Sequence, residues 1–127
     1  MIVADCSVVV DALVGTDADL VGESLDDRLA APTLIDFEVV SAVRGLALGG
    51  HISEHRARDL LRDFDQLPIT RWGSAHDLRV RAFDLRHTVT AYDAAYVVLA
   101  ESLDCPLVTR DRRLAKAART LVDVIVV

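Results

Sequence analysis

Four carboxylates, Asp5, Glu38, Asp93 and Asp111, are the side chains of this sequence best placed to do chemistry together. Each also has an ordinary role open to it. Asp5 can end a strand in a polar turn, Glu38 can be a solvated helix residue, Asp93 stands three after Thr90 as in a capping box, and Asp111 can cap a helix. Glu38 fits its ordinary role worst. Its neighbours one turn away, Leu34, Ser41 and Ala42, are apolar or small, so the carboxylate borders a buried stripe where an ionised group needs a partner. The sequence supplies no Lys or Arg on that side. Four acids held together without cations repel one another, and a divalent cation relieves that repulsion. A set of oxygen donors favours Mg²⁺ or Mn²⁺ over Zn²⁺.

Whether the four acids meet depends on the elements that carry them. Strand and helix signals alternate. An apolar strand is expected over 1–4 and a helix over 7–14 capped by Ser7. A second helix is expected over 17–28, then a strand over 29–31 closed by Pro32. A helix over 33–48 opens with Thr33 and Asp36 in a capping-box pattern and stops at Gly49-Gly50. Ser53 caps a helix to Gln66, and a weak strand follows over 68–72. Helices over 74–86 and 90–103, a strand over 106–109, a helix over 112–119 and a β-branched strand over 122–127 complete the chain. The helix over 90–103 is apolar almost all round and should be buried.

Such alternation implies right-handed crossovers and a mainly parallel sheet covered on both faces, a three-layer α/β/α sandwich in one domain over 1–127. Ligands in these folds bind beyond the C-terminal ends of the strands. Asp5 and Asp111 directly follow strands. Glu38 lies early in the helix after the second strand. The helix carrying Asp93 runs back against the strand it precedes, and its length of about 20 Å returns its first turn to the same edge.

Composition sets limits. The chain has 127 residues, 52% of them hydrophobic, which excludes disorder. No apolar run approaches the ~20 residues of a membrane span, and no basic region precedes the first strand, so a cytoplasmic protein is expected. The formal net charge of −6 disfavours broad phosphate binding, unless a bound cation reverses the sign locally. Cys6 and Cys105 fall at opposite ends of neighbouring strands, on the order of 13 Å apart, too far for a disulfide. They are expected as buried free thiols. His51 and His55 have i,i+4 spacing but no third ligand, so zinc is not expected there. Tyr92, Tyr96 and Trp72 look too scattered to stack bases, and Tyr96 reads as core.

The segments MIVADCSVVVDAL, APTLIDFEVVSAVRG, TVTAYDAAYVVLAE and CPLVTRDRRLAKAA, in that order and over nearly the whole chain, resemble the PIN-domain ribonucleases, in particular the VapC-type toxins of toxin–antitoxin pairs. The resemblance implies that Asp5, Glu38, Asp93 and Asp111 are an acidic metal-binding quartet. It implies that Thr109 is the polar residue beside the last acid and that Ser7 approaches the site. It also implies homodimerisation and inhibition by a small antitoxin. The chemistry would be Mg²⁺-dependent endonucleolytic hydrolysis of structured RNA such as tRNA or rRNA, with Mn²⁺ able to substitute.

Arg112 and Arg113, beside Asp111 in a helix's first turn where the dipole disfavours cations, are candidate substrate-phosphate contacts. An antitoxin could reach Glu38 or Asp93 with a basic side chain and anchor in a groove formed by Val21, Leu25, Val39 and Val43. Two alternatives remain. A phosphatase or phospho-acceptor would use Asp5 as nucleophile, but Ser7 stands where a second Asp is needed and no Lys precedes Pro106. A PIN-like RNA-processing or RNA-binding protein outside any toxin pair is the other.

Overall fold

A computed structural model describes residues 1–15 and 28–127. The helix expected over 17–28, and the groove residues Val21 and Leu25, therefore lie outside the described residues or at their margin. Five strands, β1 (Ile2–Ala4), β2 (Leu29–Pro32), β3 (Ile69–Trp72), β4 (Leu107–Thr109) and β5 (Val124–Val126), form one sheet in the order β3-β2-β1-β4-β5. Every pairing is parallel, with Ile2 opposite Leu29 and Val3 opposite Leu107 at the centre. The described helices are α1 (Cys6–Val14), α2 (Ile35–Leu48), α3 (Glu54–Gln66), α4 (His76–Asp84), α5 (Ala91–Leu103) and α6 (Arg112–Ala118).

The chain steps outward from β1 through β2 to β3, then crosses back to β4 and on to β5. With right-handed crossovers the first helices and the last must cover opposite faces, which makes the three layers. The reversal falls between β1 and β4, the place where open α/β sheets bind ligands beyond the strand ends.

Burial follows the apolar pattern. β1, β2 and β4 are buried throughout, as strands covered on both faces must be. Helix α5 packs across β1, β2 and β4 and buries Ala94 and every residue from Tyr96 to Ala100, as its all-round apolar sequence requires. No helix among the described residues is long and apolar enough to cross a membrane.

Three local expectations change. Helix α1 is capped by Asp5, whose side chain accepts from the Val8 amide, so Ser7 lies inside the helix. Helix α2 begins at Ile35, after Leu34 with no side-chain cap. The Thr33–Asp36 box does not close because Asp36 is drawn away to Arg71 on β3, at 2.7 Å. Val39 and Val43 are 0% and 3% exposed, so they are core and offer no groove to a partner. The end of α2 conforms: Gly50 takes a φ of 75° in the turn after Gly49, a conformation costly to any residue with a Cβ.

Candidate active site

All four acids stand at helix N-termini. Asp5 caps α1 and Asp111 caps α6, while Glu38 and Asp93 lie in the first turns of α2 and α5. A helix start carries unsatisfied N–H groups and the positive end of the dipole, which favour a nearby carboxylate by about 0.3–1 kcal/mol; the Val8 amide reaches Asp5, and the Arg113 and Leu114 amides reach Asp111. For Asp5 and Asp111 the capping role and a place in a shared site are therefore compatible.

Asp5 is the anchor. It is 6% exposed, the one buried acid among the described residues, and sits at the β1 edge of the switch point. Both its oxygens are held: Ser7 Oγ and the Val8 amide donate to Oδ1, and Thr109 Oγ1 donates to Oδ2. The two hydroxyls are fixed in turn from the end of β4, since the Arg110 amide donates to Ser7 Oγ at 3.1 Å and the Asp111 amide to Thr109 Oγ1 at 2.9 Å. Ser7 and Thr109 are thus brought to the site as expected. The carboxylate of Asp111 accepts from the Arg113 and Leu114 amides at 2.9 and 3.1 Å.

Glu38 has a partner that the sequence did not offer. Tyr96 Oη, on the opposite helical layer, donates to Glu38 Oε1 at 2.6 Å. The Tyr96 ring is core, 2% exposed, and only its hydroxyl reaches the carboxylate. Partial burial pushes the Glu38 carboxyl above its ordinary value, the Tyr96 hydrogen bond pulls it back, and the charges of Asp93 and Asp5 raise it further. Asp93 is also raised, first by burial and then by Asp111 and Asp5, against a hydrogen bond from Thr90 and the charge of Arg113. The acids therefore feel one another across the sheet edge. Cys6 sits among them, its thiol pushed up to about 12 by burial and by Glu38 and Asp5, so it stays protonated and unreactive. Cys6 and Cys105 are both free, and half-buried where full burial was expected.

Among the described residues no three acid, histidine or cysteine side chains close around one point as a ready metal cage. The donor chemistry nevertheless fits a hard cation. Mg²⁺ keeps several waters and takes one or two carboxylates plus substrate oxygens, so it needs no all-protein cage.

Cavities open on either side of the acids. One of about 320 Å³ is lined by Asp93, Asp111, Arg113, Arg86 and His87. Arg113 thus joins the site, whereas the expected companion Arg112 is exposed and not in this lining. Arg110 is held by Asp11 at 2.8 Å. His55 faces Asp59 at 3.5 Å, as a surface residue would. The other cavity, about 540 Å³, contains Glu38 with Phe37, Tyr92, Leu34 and Cys6.

A sequence profile of the PIN domain matches residues 2–120. The chain belongs to the PIN-domain family. Among similar proteins, Ribonuclease VapC1 of Mycobacterium tuberculosis is 43% identical over 121 residues, covering 91% of this chain and 89% of its own. Ribonuclease VapC12 of the same organism is 38% identical over 122 residues, covering 92% of each. The crystal structure of PAE2754 from Pyrobaculum aerophilum superposes with a TM-score of 0.72 over 96% of this chain and 82% of that one, at 24% identity, and shares the fold. Within this PIN domain, Arg86, His87 and Phe37 line the site without having been singled out in the sequence, and Tyr96, read correctly as core, also reaches Glu38 with its hydroxyl. Of the first three, only Phe37 carries a local signal, an apolar ring directly before Glu38.

Proposed function

We propose that this PIN domain, one unit over 1–127, is a Mg²⁺-dependent endoribonuclease that acts in the cytoplasm as the toxin of a type II toxin–antitoxin pair, on structured RNA such as tRNA or rRNA. The observation that carries the reading is that Asp5, Glu38, Asp93 and Asp111 each stand at the start of a helix, with Asp5 and Asp111 just after β1 and β4, the neighbouring strands at the sheet's switch point. The ribonuclease relatives named VapC, similar along nine-tenths of the chain, support it. Bound Mg²⁺, or Mn²⁺ in its place, would lower the pKa of a water and offset charge on the scissile phosphate.

The chain's own residues provide the setting. Asp5 would be the fixed ligand, both oxygens oriented by Ser7, Thr109 and the Val8 amide. Glu38 would be aimed by Tyr96. Asp93 and Asp111 would complete the set from the other side of the edge, and Arg113 would meet a phosphate oxygen beside them. A phosphatase with Asp5 as nucleophile fits poorly, because a buried carboxylate with both oxygens accepting hydrogen bonds is a weak nucleophile. The partners expected are the RNA, a second copy in a homodimer, and a small antitoxin that brings a basic side chain to Glu38 or Asp93. Expression of the chain followed by sequencing of RNA 5′ ends should reveal discrete new ends, and co-expression with the product of the adjacent gene should suppress them. No new ends with the wild-type protein would leave an RNA-binding or non-toxin role.

A further inference from the structure

Resting on the ribonuclease reading, we propose that Phe37 and Tyr92 form a stacking site for one unpaired RNA base beside the acids, so that the substrate is engaged as a single strand. Each ring immediately precedes an acid, Phe37 before Glu38 on α2 and Tyr92 before Asp93 on α5. Both stand in water, 80% and 70% exposed. A lone exposed aromatic needs no explanation. These two come from opposite helical layers and line one open cavity whose wall includes Glu38. A base held there belongs to a nucleotide next to the scissile phosphate.

Charge favours RNA bases as the occupant. With a net charge of −6 the protein gains affinity from phosphates only locally, at a bound cation or beside basic side chains such as Arg113. Stacking on aromatic faces does not depend on net charge, and every base has such a face. Duplex RNA keeps its bases stacked on one another, so the faces are free only in loops, bulges and single strands. On the other flank of the acids, Arg86, His87 and Arg113 line the polar cavity of about 320 Å³ and can receive a phosphate of the same strand.

The test uses the purified full chain, Ca²⁺ as divalent ion, and a short single-stranded oligoribonucleotide carrying 2-aminopurine. Wild-type protein should quench the fluorophore and bind the same sequence far more weakly as a duplex. Replacing both rings (Phe37→Ala with Tyr92→Ala) should weaken binding roughly 5- to 150-fold and leave Mn²⁺ affinity unchanged. Phe37→Leu with Tyr92→Leu keeps apolar area without the π-faces and should lose as much, while Phe37→Tyr with Tyr92→Phe should bind like wild type. Full affinity in the leucine or alanine pair, or equal affinity for duplex, overturns the proposal. If the alanine pair binds RNA normally but no longer co-purifies with the adjacent-gene product, the surface serves a protein partner instead. Quenching of the oligomer without any cleavage of cellular tRNA or rRNA after adding Mn²⁺ would refute the ribonuclease reading and leave the stacking site standing.

Discussion

Tyr96→Phe removes one oxygen atom and isolates the least expected contact of the site. The ring is 2% exposed and remains, so no cavity forms and no apolar area is lost. What disappears is the 2.6 Å hydrogen bond to Glu38. A bond to a charged acceptor is worth about 1.5–3 kcal/mol, and because Glu38 is only half-buried water recovers part of it. The expected cost is therefore about 1.5 kcal/mol at neutral pH without metal, a fall in Tm of about 5 °C for a domain of this size. A double-mutant cycle with Glu38→Ala should give a coupling of similar size, because it cancels the separate relief of acid repulsion. Thermal melts and urea titrations of the four proteins measure it. The variant should also bind Mn²⁺ about tenfold more weakly, since Glu38 loses its aim. A coupling below about 0.3 kcal/mol, within the error of additivity, would refute the positioning role.

The other predictions follow from the same geometry. Asp93→Asn should raise the metal-free protein's Tm by relieving repulsion, whereas Asp5→Asn should lower it, because an amide cannot replace both oxygens that accept from Ser7, Val8 and Thr109; equal shifts in calorimetry would contradict this. Glu38 and Asp93 have folded values raised above 4.5 and 3.8. Their contribution to stability is therefore full below those ordinary values and lost as pH rises through the raised ones, so metal-free stability should fall across that window, and less steeply in Glu38→Gln. Chemical unfolding at stepped pH would show it, and a stability that rises with pH in wild type and not in the variant would reverse the sign. Arg113→Gln should reduce the salt slope of RNA binding by about one, with Arg112→Gln doing less; identical slopes in all three proteins would return Arg113 to the solvated surface.

The architecture could be read because its signals are local. Apolar runs, caps such as Ser53 and Thr90, and the strand–helix alternation act within a few residues, and the parallel sheet follows from them. Asp5 and Asp111 were legible as site candidates for the same reason: each directly follows a strand that the topology sets at the switch point. Contacts between distant segments were not. Glu38 and Tyr96 are 58 residues apart, and nothing in either helix's own pattern says that a core tyrosine lifts its hydroxyl over the sheet edge. The Thr33–Asp36 box failed through a rival 35 residues away, Arg71, which no local rule weighs. Val39 and Val43 were misread as a groove because an apolar stripe looks the same whether a partner or the sheet covers it. Tyr92 looks as scattered in sequence as Tyr96 and Trp72, yet in the fold it shares one cavity with Phe37, 55 residues away in sequence.

The central claim is that four carboxylates at one sheet edge make a metal-dependent ribonuclease. Its most direct test is cleavage of RNA by the purified chain with Mg²⁺, with Mg²⁺ and excess chelator, and with Mg²⁺ and the Asp93→Asn variant shown by circular dichroism to be folded. Cleavage in the first reaction alone is the predicted result. Undiminished cleavage by the folded Asp93→Asn protein, or cleavage that survives chelation, would contradict the account.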